Sequence, residues 1–178
     1  MLIHLPDGTP LTVRPIRPAD RRLLANGLQR LSDQTVQRRF LTPKPSFSSR
    51  ELTYLTEVDG QNHVALVAEP PAGSPGGPLE VPLVAVGRFV RLADEPETAE
   101  VAIVVADPYQ GKGLGTQLGL MLADEARALG IRRFSATMSG DNVPALRLLE
   151  KLSRRLQHGP LLRSRSGSAN ELLVELAA

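Results

Sequence analysis

The chain has 178 residues, 42% of them apolar and only 3% aromatic, no cysteine, and a net charge of +2. A domain of this size buries enough surface to need no staples, and the missing thiols exclude disulfides, iron–sulfur clusters, thiolate zinc sites and cysteine nucleophiles. The separated His4, His63 and His158 make no metal-ligand spacing, and the scarce aromatics give no base-stacking platform. The expectation is one domain over 1–178 that holds no metal. The start, Met1-Leu2-Ile3-His4, lacks a basic region and a long apolar run, and no stretch has the length of a membrane span, so a cytoplasmic site is expected.

Leu2–Leu5 and Leu11–Ile16 flank the turn Pro6-Asp7-Gly8 and predict an opening hairpin. Leu23, Leu24, Leu28 and Leu31 then recur at helical spacing. Ser32 and Ser48 read as N-caps, and Ser48-Ser49-Arg50-Glu51 fits a capping box. Strands are expected over His63–Glu69 and Val81–Leu92, the second bending at Gly87. Between them the Pro/Gly-rich stretch at 70–80 reads as a flexible hairpin insertion. Glu97–Ala106 is a further strand, followed by Asp107-Pro108-Tyr109-Gln110-Gly111-Lys112-Gly113-Leu114-Gly115 and an amphipathic helix ending before Gly130. Arg132–Met138 reads as a strand, and Asn142 as the cap of a helix through Leu152. Leu156–Leu162 and Leu172–Leu176 read as closing strands joined by a polar loop at Arg163–Asn170. The order is α+β, a mixed α/β fold.

One segment carries chemistry. Three glycines in five residues let the backbone turn tightly and approach a ligand, and the helix behind them aims unpaired N–H groups at the same spot. That is an anion site suited to phosphate or pyrophosphate, with Lys112 adding positive charge. Gly113 stands where a P-loop needs Ser or Thr after its lysine, and neither Thr116 nor Leu118 supplies the last glycine of a dinucleotide fingerprint.

Gln110-x-x-Gly113-x-Gly115 resembles the signature of the GNAT superfamily of acyl-CoA-dependent N-acyltransferases, and Asn142-x-x-Ala145-x-x-Leu148 extends the likeness. Arg14-Pro15-Ile16-Arg17-Pro18-x-Asp20, Arg39-Phe40 and Ala99-Glu100-Val101-Ala102 resemble the acetyltransferase domain of bacterial Pat-type protein-lysine acetyltransferases. The resemblance implies a mostly antiparallel twisted sheet, splayed at its middle and flanked by helices on both faces. It implies coenzyme A pyrophosphate on the amides of Gln110, Gly111, Lys112, Gly113, Leu114 and Gly115, and pantetheine paired to Ile103, Val104 and Val105. Asn142 matches a pantetheine contact, with a plain helix cap as the alternative.

Acyl transfer from acetyl-CoA needs a neutral amine, and Glu100 is the expected base, its pKa raised by burial at the head of an apolar strand. A solvated acid at the strand edge is the alternative. The family's usual tyrosine acid is replaced by Leu149, and its Gly-Phe by Ser153-Arg154. The expected function is N-acetyl transfer to an amine acceptor, a protein lysine being favoured over a small amine, by a monomer or homodimer. A non-catalytic acyl-CoA-binding module is the rival. Nucleic acid is disfavoured, because the arginine pairs Arg38-Arg39 and Arg154-Arg155 are dispersed and the net charge is small.

Overall fold

Turn chemistry sets the first element: Gly8 takes φ +83, and the chain folds back so that β1 (Leu2–His4) pairs antiparallel with β2 (Pro10–Pro15). The computed structural model describes residues 1–73, 82–156, 162–166 and 169–176. The helix α1 (Arg21–Leu28) follows a 3-10 turn; α2 (Asp33–Phe40) and α3 (Ser49–Thr56) begin at the predicted caps. Ser32 Oγ accepts from the Thr35 amide, and Ser48 and Glu51 close the capping box. Then come β3 (His63–Glu69), β4 (Ala85–Arg91), β5 (Thr98–Val105), α4 (Leu114–Ala128), β6 (Arg133–Ser139), α5 (Val143–Leu156), β7 (Leu162–Ser166) and β8 (Ala169–Glu175).

The eight strands form one sheet in the order β1-β2-β3-β4-β5-β6-β8-β7, antiparallel except where β5 meets β6. Strand alternation sends Leu66, Phe89, Val101 and Phe134 to one face, where α4 and α5 bury Leu118, Leu122 and Leu152 against them. The other face carries Ala65, Val67 and Val86 under Leu24 of α1 and Leu52 and Leu55 of α3. Helices therefore cover both faces, as the resemblance implies.

Four expectations need correction. β4 starts at Ala85, although Val84 still donates to the Ala68 carbonyl at 2.8 Å just ahead of it; Pro82, further back, has no amide for a ladder. Gly87 is not a bend. It pairs with Leu66 and Ile103 inside β4, and its missing side chain admits Leu122, whose Cδ1 would lie 2.9 Å from an added Cβ. The last helix runs through Leu156, one turn beyond Leu152, because Leu156 continues its buried stripe and so is not the head of a strand. The polar segment expected as a loop holds β7 and the start of β8, which pair antiparallel as a hairpin at the sheet edge. Residues 74–80 of the expected Pro/Gly insertion lie outside the described residues, and β3 and β4 pair antiparallel on either side of it.

Arg14 joins three elements. Its Nε and Nη2 donate to the Glu69 carboxylate at 2.9 and 2.8 Å, and its Nη1 and Nη2 donate to Asp20 at 2.7 and 2.9 Å. Burial pushes the Asp20 carboxyl up, but the Arg14 guanidinium and the Arg17 amide outweigh it and hold the group below its ordinary value. Arg14→Ala leaves Asp20, 4% exposed, without its countercharge. The expected loss is about 2 kcal/mol in urea unfolding. A group with a lowered folded pKa stabilises the fold above its unfolded value, so the difference is full above pH 3.8 and fades as Asp20 protonates. An equal difference at low and neutral pH would sink this account.

Candidate active site

The chain leaves β5 through the 3-10 turn Asp107–Tyr109 and reaches Gly111 and Gly113, whose φ values of +74 and +86 are left-handed. Those two residues need no Cβ, and they rotate the backbone so that Leu114 opens α4. Gln117 makes the helix's first internal bond, to the Gly113 carbonyl at 3.1 Å. Among the described residues, the amides of Gly111, Lys112, Gly113, Leu114, Gly115 and Thr116 donate to no backbone or side-chain acceptor. Such donors, running from the glycine turn into the first turn of α4, favour an anionic group such as a phosphate. Gly115 lets α5 close in behind the loop, since an added Cβ would lie 3.4 Å from Leu148 Cδ2.

The side chains of the loop serve other ends. Gln110 Nε2 donates to the Val105 carbonyl at 2.9 Å and to Thr35 Oγ1 at 3.1 Å, bracing the loop from behind. Lys112 lies 3.1 Å from the Asp7 carboxylate and over the Tyr109 ring, so its charge is shared with the opening hairpin. The free donors of this loop are therefore its backbone amides rather than the lysine.

Beside the loop the sheet parts. β5 and β6 pair only at Thr98–Arg133, Ala99–Phe134 and Glu100–Ser135. Among the described residues, the β6-facing edge of β5 has no strand partner from Val101 to Val105, and β6 from Ala136 onward pairs only with β8. Ile103, Val104 and Val105 thus border a wedge, about 17 Å long at ~3.3 Å per residue, that widens from Glu100 toward the glycine loop. Asn142 stands across it at the start of α5. Its Oδ1 accepts from the Ala145 amide at 3.2 Å, while its Nδ2 has no protein partner among the described residues. One side chain can cap and still donate.

These residues lie within a span that resembles known proteins. A model of the acetyltransferase (GNAT) family matches residues 35–153. The chain belongs to the GNAT family. It is 36% identical over 141 residues to Acetyltransferase Pat of Mycolicibacterium smegmatis, covering 79% of this chain and 40% of that protein. It is 33% identical to Acetyltransferase PA5475 of Pseudomonas aeruginosa, covering 78% and 71%. The GNAT domain of S. lividans PAT superposes with a TM-score of 0.84 at 26% identity, covering 99% of this chain and 96% of that one. The chain spans well under half the length of the mycobacterial relative.

In this GNAT domain Glu100 holds the apex of the wedge, at the last β5–β6 pair, on the face shared with α2. It is exposed, which corrects the expected burial: its neighbours Thr98 and Ala99 are buried, but the Glu100 side chain reaches solvent on the α2 side. Arg39 of α2 is half-buried and close enough for Glu100 to offset part of the fall that burial imposes on its guanidinium. Leu149, at the family's tyrosine position, is 5% exposed within the main core and contributes no acid. Among the described residues no group of three His, Asp or Glu could hold a metal ion, and no helix is long and apolar enough to cross a membrane.

On the same face as Glu100 lies a buried Arg88–His63 contact that the sequence reading missed. Arg88 Nη1 contacts His63 Nε2 at 3.0 Å and donates to the Leu55 carbonyl at 3.3 Å. Burial pushes Arg88 down to about 10, with Arg39 adding to the shift. Burial and then the Arg88 charge push His63 down to about 4. Because the unfolded imidazole titrates near 6.5, acid binds the unfolded chain first, and stability drops as pH falls from 6.5 toward 4. His63→Gln is expected to flatten that slope by about 2 kcal/mol, read from urea midpoints at pH 7 and 4.5. An unchanged slope would assign it elsewhere.

Proposed function

We propose that the protein moves an acetyl group from acetyl-CoA to a primary amine, a protein lysine by preference, with Glu100 as general base. The observation that carries this reading is the wedge itself, which runs from a carboxylate at its apex to six free amides at its mouth. Acetyl-CoA supplies an activated thioester. The amides of Gly111 through Thr116 suit its pyrophosphate, and the open edge at Ile103, Val104 and Val105 suits the amides of an extended pantetheine arm. Asn142 Nδ2 adds a donor on the far wall. A free β5 amide near the apex polarises the thioester carbonyl.

Glu100 takes a proton from the acceptor ammonium, directly or through one water. The freed nitrogen lone pair attacks the carbonyl carbon, the C–N bond forms, and the C–S bond breaks. The sulfur leaves as thiolate, which needs no strong acid, so Leu149 is tolerable. The amine proton left on the new bond passes to solvent.

The exposure of Glu100 favours an acceptor presented on a protein surface, and the Pat-type likeness points the same way. The apolar cavity of about 220 Å³ between α1, α2 and the β4–β5 edge does not suit an ammonium, because Arg30 is the one charged residue on its walls among the described residues.

A CoA-release assay across lysine peptides, polyamines, amino acids and aminoglycosides tests the proposal. Release with lysine peptides is expected. Release with small amines alone would overturn the protein acceptor. A flat response with intact acetyl-CoA binding would favour an acyl-CoA-binding module.

A further inference from the structure

Asp107 is the first residue beyond β5 and its neighbour Ala106, and its carboxylate is spent on a different element. It accepts from the Ser32 amide at 3.0 Å, from Ser32 Oγ at 2.8 Å and from Thr35 Oγ1 at 2.8 Å. Thr35 is buried and receives the Gln110 side-chain amide at 3.1 Å, while the same amide donates to Val105 at 2.9 Å. Ser32 caps α2, so the carboxylate also lies at the helix end that attracts negative charge. Burial pushes Asp107 up, and the bonds from Ser32 and Thr35 outweigh it and hold the carboxyl below its ordinary value.

The tie joins two working parts. One side is the glycine loop, entered two residues after the Asp107–Tyr109 turn. The other is α2, whose eight residues span about 12 Å and carry Arg39 in the last turn, beside Glu100. Charge-assisted bonds of this length tolerate little displacement. A loop that moves drags the start of α2 with it, and a rigid two-turn helix transmits that motion to the wall beside Glu100.

We propose that Asp107 and Thr35 are positioning residues for the transfer reaction, fastening α2 to the coenzyme loop so that a bound acyl donor also sets the acceptor wall. This rests on the coenzyme reading of the loop. It predicts coupling: ordering the loop orders α2.

Amide hydrogen exchange on the full chain, with and without saturating acetyl-CoA, tests it. In the wild type, acetyl-CoA should slow exchange about five-fold or more both at 111–117 and at 33–40. Asp107→Asn and Thr35→Val should keep the protection at 111–117 and lose it at 33–40. Asparagine retains one acceptor oxygen and valine the shape, so a fold loss in one leaves the other to decide. The same variants should raise KM for the acceptor amine about five-fold with acetyl-CoA affinity within two-fold of wild type. A merely structural tie would lower stability and leave that split unchanged. Protection at 111–117 without protection at 33–40 in the wild type overturns the coupling, as does unaltered protection of 33–40 in both variants. No protection at 111–117 in the wild type overturns the coenzyme reading itself, and the coupling falls with it.

Discussion

Replacing Gly113 with valine is expected to weaken acetyl-CoA binding about 100-fold. Gly113 holds φ +86, where a β-branched residue is strained by 1–2 kcal/mol or more, and an added Cβ already lies 3.7 Å from the Pro6 ring. Relief of that strain rotates the peptides on either side, and at least two of the six free amides lose their aim. Bonds to a charged group contribute about 1.5–3 kcal/mol each, so two of them correspond to 100-fold or more. Gly111→Ala is the graded comparison, because nothing lies within 4 Å of its added Cβ and only backbone strain applies. About ten-fold is expected there. Calorimetric titration with a circular-dichroism check on folding measures both. Binding within three-fold of wild type in a folded Gly113→Val protein would remove the loop from the coenzyme site.

Glu100→Gln carries the second large effect, a fall in kcat/KM of about 10²–10⁴ with acetyl-CoA affinity unchanged. The side chain is exposed and makes no hydrogen bond among the described residues, so the amide is a clean replacement. Retention of the rate in a folded Glu100→Gln protein would show that another group, or bulk solvent, takes the proton.

Local chemistry made much of the fold legible. Ser32 and Ser48 cap where hydroxyls usually cap, and Gly130 ends α4 at φ +78, because those rules act within four residues. The glycine loop was legible for the same reason, since strand, glycines and helix lie next to one another in sequence. What depended on remote packing was not. Gly87 resembles a bend until Leu122 is seen to fill its space, and Glu100 resembles a buried acid until its side chain is seen to reach solvent on the α2 side. Lys112 read as a free cation because its partner, Asp7, is more than a hundred residues away. Asp107 gave only a weak signal, an acid just past an apolar strand. Its bonds to Ser32 and Thr35 span over seventy residues.

The three-pair junction between β5 and β6 has a mechanical meaning. Five strands lie on one side of it and three on the other, so the sheet is two plates joined along a short hinge, clamped from one face by α4 and α5. A molecule whose amides pair with both free edges acts as an extra strand across that hinge, closing the ladder that the chain leaves open. Affinity and rigidity then become one quantity, because whatever fills the wedge is also a structural member of the sheet.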